Sequence, residues 1–324
     1  MKEIGGYLEL ERYRGRMLHD DLIPLNCGRN CLAYLVELRE IRKIWLPNFL
    51  CSSVSDVCDR EGVESADYAI GMDLKPVYGF EFEDEDWLYL VDYYGTLTGG
   101  DVDRALNLFD GRVVVDEAQG YFREPWYGAD TLYTCRKFFG VADGAFLSTK
   151  DGKSLDRDLP RDESHARMGF VLGRAERPAS EFYAEAKANN ARFALEPIKR
   201  MSRITESLLA GVDYEFVKVR REENWRVLDG ALGDMNLLWR QVDRRAPVGP
   251  YMYPLLVRDA GNVKEAAAKE GVYIPTLWPN VVESGSDSCA LVFARNILPL
   301  PLDQRYDEKE MSRTVDVVER LLPK

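Results

Sequence analysis

Three short stretches of the chain carry residue types whose chemistry could combine. VVVDEAQ places Asp116 at the polar end of an apolar, β-branched run. A carboxylate there is costly to desolvate unless a cation or a hydrogen-bond donor meets it, and the same residue type also caps helices and turns. NCGRN puts Gly28 where a helix is expected to begin. At such a point the backbone amides can approach a ligand, and the positive end of the helix dipole favours an anion such as phosphate, although Gly and Asn before a helix also serve as plain caps. In YTCRKFFGVADGAF, Lys137 follows Arg136 and precedes Phe138 and Phe139. Lower local polarity favours a neutral amine, the form that attacks a carbonyl; the bland alternative is a lysine laying its stem along an aromatic surface.

Together, an anion site at a helix start, an acid to pair with a ring nitrogen and a downstream lysine to hold an aldehyde describe one cofactor, pyridoxal 5′-phosphate. Metal chemistry has little support. The six cysteines form no CxxC pair, and the two histidines, His19 and His165, are far apart with no ligand-like spacing.

The elements that must position these residues read as an α/β chain. Residues 26–42 read as a turn and a helix with Leu32, Leu35, Val36 and Leu38 on its apolar stripe, 43–50 as a short strand, and 52–62 as a helix closing on Gly62. WLYLVDYYG (87–95) and RVVVDEAQG (112–120) read as strands of a mostly parallel sheet. The signal weakens from 150 to 180, where DGKSLDRDLPRDES (151–164) looks like an exposed excursion, and helical spacing returns from about 181 through YEFVKVRREENWRVLDGAL. The final third alternates again: YMYPLLV, GVYIPT and CALVFARNILPLPL as strands, NVKEAAAKEG and DEKEMSRTVDVVERLL as helices. This predicts a large domain over 1–210 and a smaller α/β domain over 211–324, in keeping with a length of 324 residues.

A net charge of −12 with scattered basic residues disfavours nucleic acid and anionic membranes as partners. No apolar run approaches the roughly 20 residues that cross a bilayer, and the start MKEIGGYLELERYRG lacks a signal-peptide core, so a cytoplasmic protein is expected.

Read end to end, the chain resembles the DegT/StrS-type (sugar aminotransferase) family of the aspartate aminotransferase-like fold, most closely a divergent branch with RKFF around the lysine. The ordered matches are IGGYLELE (4–11), LNCGRNCLAYL (25–35), WLPNFLCSSV (45–54), VVVDEAQG (113–120) and YTCRKFFGVADGAF (133–146). They continue with MSRITESLLAGVDYE (201–215), RREENW (220–225), GVYIPTLWP (271–279) and LPLPLDQRY (298–306). The resemblance implies PLP-dependent transferase fold type I, a mostly parallel mixed sheet flanked by helices with a smaller C-terminal α/β domain. It implies an aminotransferase moving an amino group from a glutamate-like donor to a keto acceptor, with a nucleotide-linked keto sugar among the candidates.

Residue by residue, it implies that Lys137 holds the cofactor aldehyde and shuttles the substrate proton, and that Asp116 pairs with the ring nitrogen. Ala118 and Gln119 would lie against the ring and its phenolic oxygen. Gly28, Arg29 and Asn30 match the phosphate loop, Arg29 either adding charge there or pointing outward, and Thr134 is a hydroxyl donor to the same phosphate. Tyr94 would line the substrate pocket or belong to the core. Asn189 or Asn190 would reach across from the neighbouring subunit of a homodimer, or simply lie exposed. Two departures bear on the substrate: Leu132 stands where the family usually has serine five residues before the lysine, and the following turn is ADGA. Lysine rather than histidine at 137 argues against the related dehydratases. Other PLP reactions on amino acids, of lyase or racemase type, and a non-catalytic homologue remain as alternatives.

Overall fold

A computed structural model describes residues 4–284 and 288–322. The chain begins with β1 (Ile23–Leu25), α1 (Gly28–Arg39), β2 (Lys43–Pro47), α2 (Ser52–Glu61), β3 (Glu64–Tyr68) and β4 (Trp87–Val91). Next come α3 (Gly99–Leu108), β5 (Val113–Asp116), β6 (Asp130–Thr134) and β7 (Ala145–Ser148). Four helices follow: α4 (Gly169–Glu176), α5 (Tyr183–Arg192), α6 (Arg203–Ala210) and the long α7 (Tyr214–Leu232). The last stretch is β8 (Met252–Leu256), α8 (Val263–Lys269), α9 (Pro279–Ser284), α10 (Cys289–Asn296), β9 (Ile297–Pro301) and α11 (Glu308–Leu321).

Seven strands form one mixed sheet in the order β1-β7-β6-β5-β4-β2-β3, all running one way except β7. The central β4 and β5, WLYLV and VVVD, are buried at every position, as strands covered by helices on both faces must be. The two remaining strands, β8 and β9, pair antiparallel in a small sheet against α7 and α11. Residues of α9 and α10, among them Val281, Phe293 and Ala294, pack into the core of the large sheet, so the C-terminal third folds back over it.

The helix starts differ in a way that matters for chemistry. Thr98 with Asp101 closes α3, and Asp307 with Glu310 closes α11, each as a reciprocal capping box. The residues before α1 and α2, Cys27 and Cys51, are extended and give no side-chain cap. The Asn30 and Val54 N–H groups turn back to the Cys27 and Cys51 carbonyls, each at 3.1 Å, so the first two amides of each helix, at Gly28 and Arg29 and at Ser52 and Ser53, are left for water or a ligand.

Three sequence expectations change. CALVFARNILPLPL is not one strand: its first half is α10 and only Ile297–Pro301 is β9. The run is apolar from Cys289 to Ala294, which fits a buried helix as well as a strand, and Ser288, which accepts from the Leu291 N–H, starts the helix. GVYIPT forms no strand. The stretch of weak signal holds a helix beyond the excursion at 151–164, since α4 lies within it, although α4 buries none of its own residues. Among the described residues no helix is long and apolar enough to cross a membrane.

Candidate active site

The carboxyl ends of β4, β5 and β6 and the starts of α1 and α2 surround a cavity of about 300 Å³, at the edge where open α/β sheets take their ligands and of a size that suits a small cofactor. Asp116 ends β5 and is buried. Its two oxygens are fixed by different donors: the Tyr89 hydroxyl at 2.9 Å from Oδ2 and the Ala118 N–H at 2.7 Å from Oδ1. Burial, followed by the Asp116 charge, pushes the Tyr89 phenol well above its ordinary value, so it stays a donor. The carboxylate is thus aimed rather than free to rotate.

Lys137 sits in the turn after β6. The Phe138 and Phe139 N–H groups both donate to the Cys135 carbonyl, at 3.0 and 2.9 Å. The two phenylalanine rings are buried among Tyr121, Phe122 and Tyr251, which anchors the turn and leaves Lys137 facing the cavity. The C-terminal part braces the same turn. Gln304 Nε2 donates to the Phe138 carbonyl at 2.8 Å, and the fully buried Arg221 stacks on the Phe138 ring at 4.6 Å. RREENW and LPLPLDQRY, which carried only resemblance in the sequence, here supply the supports of the lysine turn. The ADGA turn is tied down similarly. Asp143 accepts from the Ser202 N–H and hydroxyl and from the Thr205 hydroxyl, all at the start of α6, and Gly144 adopts φ +116° in contact with Thr205 and Cys135.

Solvent reaches Lys137 through the cavity mouth, yet protein surrounds its amine. Loss of hydration lowers the Lys137 pKa from its ordinary value; Asp116 pushes it back up, as does Cys51, and Arg136 lowers it further. The result is an amine that sheds its proton more readily than a surface lysine.

The structure brings most of the expected site residues to this cavity: Gly28, Arg29, Asp116, Ala118, Gln119, Thr134, Lys137 and Asn190 line it. Gln119 Oε1 accepts from the Tyr94 N–H at 2.9 Å. Two residues stand elsewhere. Asn30 is buried on the opposite side of α1, donating to Asn26 and the Pro197 carbonyl at 2.8 and 2.7 Å. Each helical residue turns about 100°, which carries position 30 away from the face that position 28 presents. Tyr94 is core: fully buried, with φ 55°, it lies beside a separate small cleft against Trp225 and Trp239. Asn190 of the same chain lines the cavity, accepting from Arg29 and Arg136.

Four functional residues escaped the sequence reading. Tyr89 was hidden because its role is a contact across strands. Arg136 was passed over beside the lysine. Trp278 and Leu277 close the cavity from the loop after Gly271. Trp278 takes φ 55° and packs edge-on against Phe49 at 4.3 Å, and such strained backbone on a non-glycine residue was the one signal available, visible only in the fold.

Beneath the site lies a buried acid pair. Among the described residues neither Asp92 Oδ2 nor Glu117 Oε2 has a hydrogen-bond partner, and a Cβ on Gly120 would fall 1.8 Å from Glu117 Oε2 and 3.5 Å from Asp92 Oδ2. One shared proton satisfies both oxygens. Glu117 keeps it, pushed well above its ordinary value by burial and then by the Asp92 charge, while Asp92 accepts from the Leu97 N–H at 2.8 Å and faces Arg123 at 3.3 Å. A folded-state pKa above the unfolded one gives stability that is full below the unfolded value and is lost as pH rises through the folded value, by about 1.4 kcal/mol per unit between them. The urea midpoint should therefore fall from pH 6 to pH 9, and Glu117→Gln should flatten that fall. Parallel curves for the two proteins would rule out a proton on Glu117.

No family model matches the sequence, and no curated protein matches it. Solved structures do. The sugar aminotransferase CalS13 from Micromonospora echinospora superposes with a TM-score of 0.64 at 15% identity, covering 93% of this chain and 87% of that one. A DegT DnrJ EryC1 StrS aminotransferase from Brucella abortus gives 0.63 at 14%, covering 94% and 86%. NtdA from Bacillus subtilis, with bound cofactor PMP, gives 0.66 at 12%, covering 93% and 73%. The fold is that of the type I PLP-dependent transferases, as expected from the sequence.

Proposed function

We propose that this chain is a pyridoxal-phosphate-dependent aminotransferase of the DegT/StrS type, moving an amino group from a glutamate-like amino acid to a keto sugar. The observation that carries this reading is a single cavity holding an amine of lowered basicity, an aimed carboxylate and an uncapped helix start. These residues fit the cofactor: Lys137 for its aldehyde, Asp116 for its ring nitrogen, and the α1 amides with Thr134 for its phosphate. CalS13 is a sugar aminotransferase and NtdA was solved with PMP, which supports both the reaction class and the cofactor.

Bound pyridoxal phosphate supplies a reactive aldehyde carbon and a ring that accepts an electron pair. The rest falls to the chain. With the cofactor bound, Lys137 Nζ would hold its aldehyde, and as a free amine at the same place it would carry a proton from and back to the substrate. Asp116 would pair with the ring nitrogen and keep it protonated, its carboxylate already oriented by its two fixed donors. Phe138 and Phe139, buried beside Lys137, keep the lysine turn rigid. A second cavity, of about 550 Å³, shares Arg136 and Lys137 with the first and adds Phe170, Arg174 and Tyr183, which suits a large acceptor approaching the same amine.

The proposal includes a homodimer. α4 and α5 bury only Asn189, and Ile4, Tyr7 and Leu8 are almost wholly exposed, an apolar surface of the kind a partner covers. It also includes a cytoplasmic setting, which six free cysteines support.

The test is the visible spectrum. Protein given the cofactor should turn yellow, borohydride should fix the label on the peptide carrying Lys137, and glutamate should bleach the band. A colourless protein, or a band that no amino donor changes, would remove the reading.

A further inference from the structure

In a chain of net charge −12, Arg29 and Arg136 line the same cavity and, among the described residues, neither forms an ion pair. Arg29 Nη1 donates to the Asn190 carbonyl at 3.0 Å and Arg136 Nη1 to Asn190 Oδ1 at 3.2 Å, so one residue of α5 bridges both guanidinium groups without neutralising either. Arg136 Nε is buried with no partner, and the guanidinium lies over the Phe193 ring at 4.6 Å. Burial lowers the Arg136 pKa, and the nearby Arg29 charge adds to the effect. Two like charges are therefore held together, partly desolvated, beside a third cation, Lys137, and the uncapped start of α1. Such an arrangement is unfavourable unless an anion enters it.

The directions of the donors indicate which anion. α1 offers amides at Gly28 and Arg29, whose Cα lies close to the end of β6; a Cβ on Gly28 would stand 4.0 Å from Thr134 Cβ. The Thr134 hydroxyl has no partner among the described residues. Donors converging from a helix end, a strand end and two guanidinium groups suit the three oxygens of a phosphate monoester better than the two of a carboxylate.

We propose that Arg136, with Arg29 and the bridging Asn190, forms a phosphate clamp, Arg136 taking the place the sequence reading gave to Asn30. The proposal rests on the cofactor reading only for what carries the phosphate.

The test uses full-length protein stripped of cofactor and titrated calorimetrically with inorganic phosphate, pyridoxal phosphate and pyridoxal. Wild-type protein should bind all three. Arg136→Gln should weaken inorganic phosphate and pyridoxal phosphate roughly tenfold or more and leave pyridoxal unchanged, which also shows the variant is folded. Arg136→Lys should recover part of the loss, and Arg29→Gln should show the same pattern more weakly. If Arg136→Gln binds pyridoxal phosphate as wild type does, or weakens pyridoxal equally, the clamp is wrong while the cofactor reading stands. If wild-type protein binds neither pyridoxal phosphate nor pyridoxal, the cofactor reading itself fails, and binding of inorganic phosphate alone then decides whether the clamp serves another phosphate.

Discussion

Lys137→Ala should abolish the yellow band that borohydride fixes and lower turnover by roughly 10⁴-fold, the upper range for a positioned acid–base group, while leaving the fold intact. Lys137 makes no hydrogen bond or ion pair among the described residues, its amine lying over the Tyr251 ring at 5.4 Å, while the rings beside it anchor the turn and the Phe138 carbonyl is held by Gln304. Removing a poorly hydrated amine also removes an unfavourable charge, so the variant should unfold at the same or a slightly higher temperature. Cofactor should still bind through the other end of the cavity. A small primary amine added to the solution should restore part of the rate, because the missing function is proton transfer from a defined place and a diffusible base can enter through the open mouth. Substantial activity without added amine, or a borohydride label on another lysine, would move the chemistry away from this turn.

The parts of the fold legible in the sequence are those where local pattern and tertiary environment agree. VVVD and WLYLV are buried on both sides and read as central strands because nothing polar interrupts them. β3, ESADY, went unread because it is an edge strand whose residues are mostly exposed and polar, and it exists through its pairing with β2. α10 was misread because its solvent face is narrow and starts on an apolar residue: Val292 and Arg295 are exposed, yet the run stays apolar from Cys289 to Ala294, so its helical period is masked. The site divides in the same way. Lys137 and Asp116 were legible since a charged residue at the end of an apolar segment is unusual in itself. Asn30 was misplaced because adjacency in sequence is not adjacency on a helix surface, and Arg136 was passed over because an arginine beside a lysine looks like ordinary surface charge. Only the cavity shows that it lacks a counter-ion.

Asp116→Asn should keep the cofactor and lose roughly 10²- to 10⁴-fold in turnover, a result that separates aimed charge from mere shape. The change is isosteric, but an amide has one accepting oxygen where the carboxylate has two, while two donors, the Tyr89 hydroxyl and the Ala118 N–H, point at the group. One of them must then face an NH₂, so the amide is both misaligned and uncharged, and the ring nitrogen loses the partner that kept its proton. Tyr89→Phe removes one donor and keeps the charge, so its effect should be several-fold at most. The same substitution acts on Lys137. Because the Asp116 charge raises the amine's pKa against the effect of burial, Asp116→Asn should let it fall further. In cofactor-free protein the pH midpoint for modification of Lys137 by an amine-reactive reagent should shift to lower pH. An unchanged midpoint would mean that the two groups do not share the cavity electrostatically, and an unchanged turnover would mean that Asp116 is only the end of a strand.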